Sequence, residues 1–197
     1  MNLPNKLSIL RMILVPVFAT VFFIEAIPYN YVISAVIFAI AAATDFLDGY
    51  IARKYNLVTN FGKFIDPIAD KALVATSIIV LITSPAVVGD PFKFGFTLEV
   101  IFSVGVAIIL VRELMISGFR MLAAKNQIVL AADKLGKAKT FVTDFAILFL
   151  LVAIDLSGVA FTVVMAIGYV LFVIGVVLTI VSGMNYILKN KQVLSDK

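Results

Sequence analysis

The chain has 197 residues, of which 62% are hydrophobic and only 14% charged, and its mean hydropathy is +1.12. A soluble domain of this size is about half apolar and a quarter charged, so the composition is that of an integral membrane protein. Cysteine, histidine and tryptophan are absent, which excludes disulfides, a thiolate nucleophile, an imidazole base and a zinc site of the usual kind. Any base must then be a carboxylate, lysine or tyrosine, and any metal a hard, oxygen-liking one. A net charge of +4 could suit nucleic acid. The basic residues, however, flank apolar spans, where positive-inside topology accounts for them, and no nucleic-acid partner is expected.

In chain order, residues 1–11 predict a short amphipathic surface helix, with Leu3, Leu7 and Leu10 on one face and Lys6 and Arg11 beside them. A first span runs from about Met12 to Ile24. It resembles a signal-peptide core, but no small-residue cleavage site precedes Tyr29, so its retention is expected. A turn containing Pro28 leads to a second span, about Tyr31 to Lys54. A short polar loop follows, then a third span from near Phe61 to Ser84, with Pro67 in its early turns. Residues 85–98 read as a loop. A fourth helix covers about Leu98 to Lys125, and a basic connection with Lys125, Lys134, Lys137 and Lys139 follows it. The fifth span is about Thr140 to Ile154 and the last about Val159 to Leu188. At ~1.5 Å per residue that last helix outruns a ~30 Å hydrocarbon core and must tilt or protrude.

The expected fold is therefore an all-α integral membrane protein. Six transmembrane helices (12–188) follow the surface helix (1–11), and a polar tail (189–197) completes a single membrane domain. Six spans place both termini on one side. On this assignment Lys93 is the only one of 16 basic residues on the other, so the side with the termini is cytoplasmic. No internal repeat or low-complexity tract is present.

Four aspartates gather at that cytoplasmic edge: Asp45 and Asp48 at the end of the second span, Asp66 and Asp70 at the start of the third. Spacings of three and four put each pair on one helix face. Solvated helix ends paired with Arg53, Lys54, Lys63 and Lys71 would explain one such pair. Two pairs facing each other in an acid-poor chain point instead to function. The pattern suits one or two magnesium or manganese ions held by carboxylate oxygens, with a metal pair ~3.5–4 Å apart clamping a phosphoryl group. Gly49 and Ala52, one turn apart beside Asp45 and Asp48, leave room for a ligand to approach the backbone, as does Gly62. Close helix packing is the alternative reason for such small residues.

These residues spell D-x2-D-G-x2-A-R-x8-G-x3-D-x3-D through Asp45, Asp48, Gly49, Ala52, Arg53, Gly62, Asp66 and Asp70. That pattern resembles the signature of the CDP-alcohol phosphatidyltransferases. The resemblance extends to Asn2–Arg11, Asp66–Lys71, Val111–Glu113 and Gly136–Thr140. It implies transfer of a phosphatidyl group from CDP-diacylglycerol with two Mg²⁺ or Mn²⁺ ions. Asp45 and Asp66 would touch both metals, Asp48 one and Asp70 the other. Asp70 would also be the general base. Gly49, Ala52, Arg53, Thr59 and Gly62 would hold the CDP moiety, with Asn5, Ser8 and Arg11 closing over it. The resemblance further implies a homodimer in a bacterial-type cell membrane, with its active site at the cytoplasmic face. A glutamine is usual three residues after Thr140. Here that position is Thr143, followed by Asp144, and neither is given a role.

Arg112, Arg120, Lys134, Lys137 and Lys139 cluster on the same side. Positive-inside charge is one reason for them. A phosphorylated acceptor such as glycerol 3-phosphate is the other, since arginine forks onto phosphate bidentately. Inositol phosphate or phosphatidylglycerol are alternative acceptors within the family. A divalent-cation transporter is the alternative outside it, although transporters place their sites nearer the midplane, often between repeats.

Overall fold

The computed structural model describes residues 2–55, 57, 59–89, 96–125, 128 and 134–193. Among these residues every regular element is a helix: α1 Leu3–Phe23, α2 Asn30–Lys54, α3 Asn60–Ile82, α4 Pro85–Val88, α5 Phe96–Lys125, α6 Lys134–Ile154 and α7 Gly158–Lys189, then a short 3₁₀ turn at Lys191–Val193. Four of them, α1, α2, α5 and α7, are long and apolar enough to cross a membrane. Helices α3 and α6 have comparable length but carry charge in their N-terminal halves, where the site lies.

Three expectations are corrected. Residues 1–11 do not form a separate surface helix, because α1 runs unbroken from Leu3 to Phe23. Its amphipathicity points the other way. Asn5, Ser8 and Arg11 are buried, while Leu3 and Leu10 face outward. Those apolar residues face outward, and the polar ones meet partners inside the protein. Second, residues 85–98 are not all loop, since Pro85–Val88 form a helical turn that buries Val87. Residues 90–95 of that stretch lie outside the described residues, as does Lys93. Third, the basic connection is shorter than expected because α6 begins at Lys134. Lysines in a first helical turn oppose the helix dipole.

Successive long helices run antiparallel, and two polar clasps tie their ends. At one face of the bundle Asp155, in the α6–α7 turn, accepts a hydrogen bond from the backbone N–H of Val32 at 2.7 Å. This caps α2, whose own preceding residue, Tyr29, is in the left-handed region (φ 55°) and offers no side-chain cap. At the opposite face Asn2 donates to the carbonyl of Leu57 at 2.7 Å and accepts from the N–H of Asn5. Thr59 caps α3 through the N–H of Gly62 at 3.0 Å. The first turn of α1 is thereby bound to the start of α3.

Between these faces lies an apolar core. Helix α1 packs on α2 and α3, α6 packs on α7 and α2, and α5 packs on α7. Phe18 meets Phe38 across α1–α2, and Phe102 stacks on Phe172 across α5–α7 at 4.3 Å. Small residues set the closest approaches. A Cβ on Gly168 would stand 2.8 Å from Leu150 Cδ2 and 3.2 Å from the Leu150 backbone nitrogen, whereas one on Gly118 would meet nothing within 4 Å. Gly168→Val is therefore expected to destabilise the folded protein by about 1–3 kcal/mol through overpacking. Gly118→Ala should be neutral or slightly stabilising through helix propensity. Unfolding by denaturant in detergent micelles measures both.

Candidate active site

The face that carries the Asn2–Leu57 clasp brings together the N-termini of α1, α3 and α6, the C-terminus of α2 and the C-terminal half of α5. Asp45 and Asp48 project from α2, Asp66 and Asp70 from α3. The centre of the arrangement is Arg11, whose side chain is fully buried. Its Nη1 donates to Asp45 Oδ1 at 2.6 Å, its Nη2 to Asp48 Oδ2 at 2.5 Å, and its Nε to the hydroxyl of Thr44 at 3.3 Å. Asp48 is buried, while Asp45 is about half exposed, with 48% of its side chain accessible. The guanidinium fork thus closes over both carboxylates of α2 at once, as a point charge on lysine could not.

Ser8, one helical turn before Arg11, extends the contact to α3. Its hydroxyl lies between Asp66 Oδ1, Asp48 Oδ2 at 3.4 Å and the carbonyl of Pro4 at 3.1 Å. A hydroxyl has one proton to give, and the contact with Asp66 is the shortest. Asn5 completes the row on α1. Its Oδ1 accepts from the Thr59 hydroxyl at 2.9 Å, and a Cβ on Gly62 would come within 3.0 Å of the same oxygen. Gly62 is needed here for that close approach. Asn5, Ser8, Arg11, Thr59 and Gly62 therefore join the aspartates as one connected polar surface. Gly49 and Ala52 are partly buried on α2 beside it. The Arg53 side chain lies outside the described residues.

Charge at this surface does not balance. Among the described residues, Arg11 is the one cation paired with any of the four motif aspartates, and it is bonded to two of them, Asp45 and Asp48. Asp66 takes only the Ser8 hydroxyl, and Asp70 has no hydrogen-bond partner. No three acidic side chains among the described residues stand close enough to cage an ion as they are placed, with Arg11 between Asp45 and Asp48. The donor set nevertheless fits a hard divalent cation. It consists of carboxylate oxygens alone, two of which already hold a positive group.

A cleft of about 170 Å³ opens beside Asp70. Asp70, Lys71, Val74 and Ala75 of α3 form one wall, Ile109, Leu110, Glu113 and Leu114 of α5 another, and Lys139 and Thr140 of α6 the third. Of the four basic residues expected to bind an acceptor whose side chains are described, only Lys139 lines it. Its ammonium is buried and donates to Glu113 Oε1 at 2.7 Å. Arg112 donates to that same oxygen at 2.9 Å and, through Nη2, to Ser182 on α7 at 3.1 Å. Arg120 turns to α7 as well, with Nε 3.3 Å from the Tyr186 hydroxyl and its guanidinium carbon 5.6 Å from the ring centre. Lys137 is exposed, and the Lys134 side chain lies outside the described residues. Arg112 and Arg120 do share a face, but that face is packed on α7.

Glu113, Lys71 and Thr140 also line the cleft, beyond the residues expected from the sequence. Signals for two of them were present. Glu113 is an acid well inside an apolar helix, where ionisable groups mark function, and Thr140 closes the Gly136–Thr140 stretch.

Residues 1–181 match the CDP-alcohol phosphatidyltransferases, and the chain belongs to that family. It is 38% identical over 185 residues to the CDP-diacylglycerol–glycerol-3-phosphate 3-phosphatidyltransferase of Rickettsia bellii, an alignment covering 94% of this chain and 93% of that relative. The protein of the same name from Bacillus subtilis is 36% identical over 205 residues, covering 98% and 97%. The one from Salmonella typhimurium is 34% identical over 194 residues, covering 94% and 93%.

Because Arg11 neutralises a buried carboxylate, removing it should be severe. Arg11→Met leaves Asp48 without its cation, and breaking such a buried pair costs about 3–5 kcal/mol. Arg11→Lys should recover only part of this, because an ammonium cannot fork onto both aspartates. Denaturant unfolding in micelles without divalent ions gives the two values. A wild-type midpoint for Arg11→Met would show that the pair contributes nothing to stability.

Proposed function

We propose that this chain transfers a phosphatidyl group from CDP-diacylglycerol to sn-glycerol 3-phosphate, giving phosphatidylglycerophosphate and CMP. The names of its full-length relatives support the reaction. The observation that carries it here is the junction of two sites at Asp70: a carboxylate surface on one side and, on the other, a cleft holding a buried lysine. A donor pyrophosphate belongs with the first and a phosphorylated alcohol with the second.

In this reading the CDP moiety lies along Asn5, Ser8, Gly49, Ala52, Arg53, Thr59 and Gly62, where Gly62 lets Asn5 sit close on α3. Arg11, now held by Asp45 and Asp48, would turn its fork to the donor's phosphate. Asp45, Asp48, Asp66 and Asp70 would hold the Mg²⁺ or Mn²⁺ ions, which when bound neutralise the pyrophosphate and stabilise departing CMP. Lys139 gives the acceptor phosphate a charge-assisted hydrogen bond inside an apolar-walled cleft, where such bonds are stronger than in water. That places the acceptor hydroxyl beside Asp70, which takes its proton. The hydroxyl oxygen bonds to the lipid-side phosphorus, the bond from that phosphorus to the bridging oxygen breaks, and CMP leaves with the electron pair. Arg112 acts behind Lys139 rather than on the substrate, and Arg120 borders the cytoplasmic rim.

The same reading puts six spans in the membrane, α3 and α6 included, because each of these buries its charged turns against the site. Both termini and the site then face the cytoplasm, as the basic residues favour, and the membrane is the bacterial cell membrane. The homodimer rests on the family resemblance, and cross-linking in native membranes measures it.

Asp70→Asn should keep the fold and donor binding but lower turnover by about 10²–10⁴-fold, the usual loss on removing a positioned base. Single-turnover assays with saturating CDP-diacylglycerol test this, and a near-normal rate would exclude Asp70 as the base. Turnover should also vanish in chelator and return with Mg²⁺ or Mn²⁺. Full activity in exhaustively chelated protein would exclude the metal.

A further inference from the structure

The buried ammonium of Lys139 has two carboxylates around its cleft, Asp70 and Glu113. It is bonded to Glu113, at 2.7 Å, with only 4% of the lysine side chain accessible. Asp70 stands within electrostatic reach of both groups. We propose that Glu113 is a positioning residue: it holds Lys139 on the acceptor side of the cleft and keeps the ammonium from pairing with Asp70. The proposal rests on the reaction proposed above and deepens it.

Lysine reaches its charge through a flexible four-carbon stem. An ammonium cut off from water takes the nearest anion, since an unpaired buried charge is far more costly than a paired one. Without Glu113, two other carboxylates are within electrostatic reach of the ammonium: Asp144 on α6 itself, whose Oδ1 has no hydrogen-bond partner among the described residues, and Asp70, the one of the two that lines the cleft. Pairing there would occupy the oxygen lone pairs that must receive the acceptor's proton, and it would move the ammonium away from the acceptor phosphate. Glu113 is itself held against such movement. Arg112 donates to it at 2.9 Å. Arg112 is anchored through Ser182, whose hydroxyl donates to the Thr179 carbonyl at 3.3 Å. Gly183 lets the arginine stem lie close on α7, since a Cβ there would stand 3.1 Å from Arg112 Cγ. A continuous chain of contacts thus runs from α7 through α5 to α6 and fixes one ammonium. Arg112 and Lys139 converge on a single carboxylate oxygen, so each remains tied while Lys139 keeps two N–H groups for a ligand.

Steady-state kinetics on the full-length protein in mixed micelles test this, with CDP-diacylglycerol and glycerol 3-phosphate varied in turn. Glu113→Gln is expected to lower kcat and raise the KM for glycerol 3-phosphate, each by about tenfold, with the KM for CDP-diacylglycerol changed by less than about twofold. Glu113→Asp should recover part of both losses. In a Lys139→Met background the Glu113→Gln change should add no further loss, because no ammonium remains to be misplaced. A merely structural role would give independent, multiplying effects, and that result overturns the proposal. So do wild-type constants for Glu113→Gln, or equal losses toward both substrates. If Glu113→Gln is not recovered folded, Glu113→Asp carries the comparison: a partial loss confined to kcat and the acceptor KM supports the proposal, and wild-type constants overturn it. A wild-type protein that transfers nothing to glycerol 3-phosphate overturns the reaction itself, a failure seen before any variant is compared.

Discussion

The guanidinium of Arg11 lies with no access to solvent between Asp45 and Asp48, and the site is assembled around it. Carboxylates at the edge of a hydrocarbon layer are costly without compensation. The compensation comes from another helix, so satisfying the charge on α2 requires α1 to be present and in register. Ser8 carries the same tie to α3 through Asp66, and Asn5 carries it to the cap of α3 through Thr59. Three helices are thereby fixed to one another by polar contacts that form only when their ends meet at one face. The apolar core of Phe18, Phe38 and their neighbours determines how closely these helices pack. The polar row determines which residues face which.

The cleft beside Asp70 is built by the same rule with the signs exchanged. Lys139 is a buried cation whose compensation comes from Glu113 on α5, and Glu113 is shared with Arg112. Two buried charge systems, one acidic with a single arginine and one basic with a single glutamate, meet at the cleft wall formed by Asp70. Buried ion pairs are poor evidence of stability. What they do here is hold charged groups at defined points among apolar side chains. The opposite face of the bundle has no comparable charge among the described residues. Its one such clasp, Asp155 to the N–H of Val32, serves only to cap α2.

The first helix shows most plainly where a sequence misleads. Leu3, Leu7 and Leu10 at helical spacing, with Lys6 and Arg11 alongside, read as an apolar stripe dipping into a membrane surface. The same pattern serves a helix whose apolar side meets lipid and whose polar side meets protein. Periodicity alone does not say which side the solvent lies on. Asn5, Ser8 and Arg11 were nonetheless picked out as site residues, through the family resemblance. The basic cluster misled differently. Arg112, Arg120 and Lys139 were grouped by sign and by side of the membrane, but side-chain direction divides them. Only Lys139 enters the cleft, while both arginines turn to α7.

The sequence by itself determined the class of environment, because 62% apolar residues in long runs admit no soluble fold. It also determined the helical segments, though not where the first and the sixth begin, and it put Asp45 with Asp48 and Asp66 with Asp70, because three- and four-residue spacings on helices place groups on one face. Tertiary structure alone decided what compensates each charge. Arg11 meets Asp45 and Asp48 across more than thirty residues of chain, and Lys139 meets Glu113 across 26. Such pairings follow from which helices pack together and how each is rotated about its axis. Those quantities arise from the fit of the whole apolar core and are not written in any local pattern.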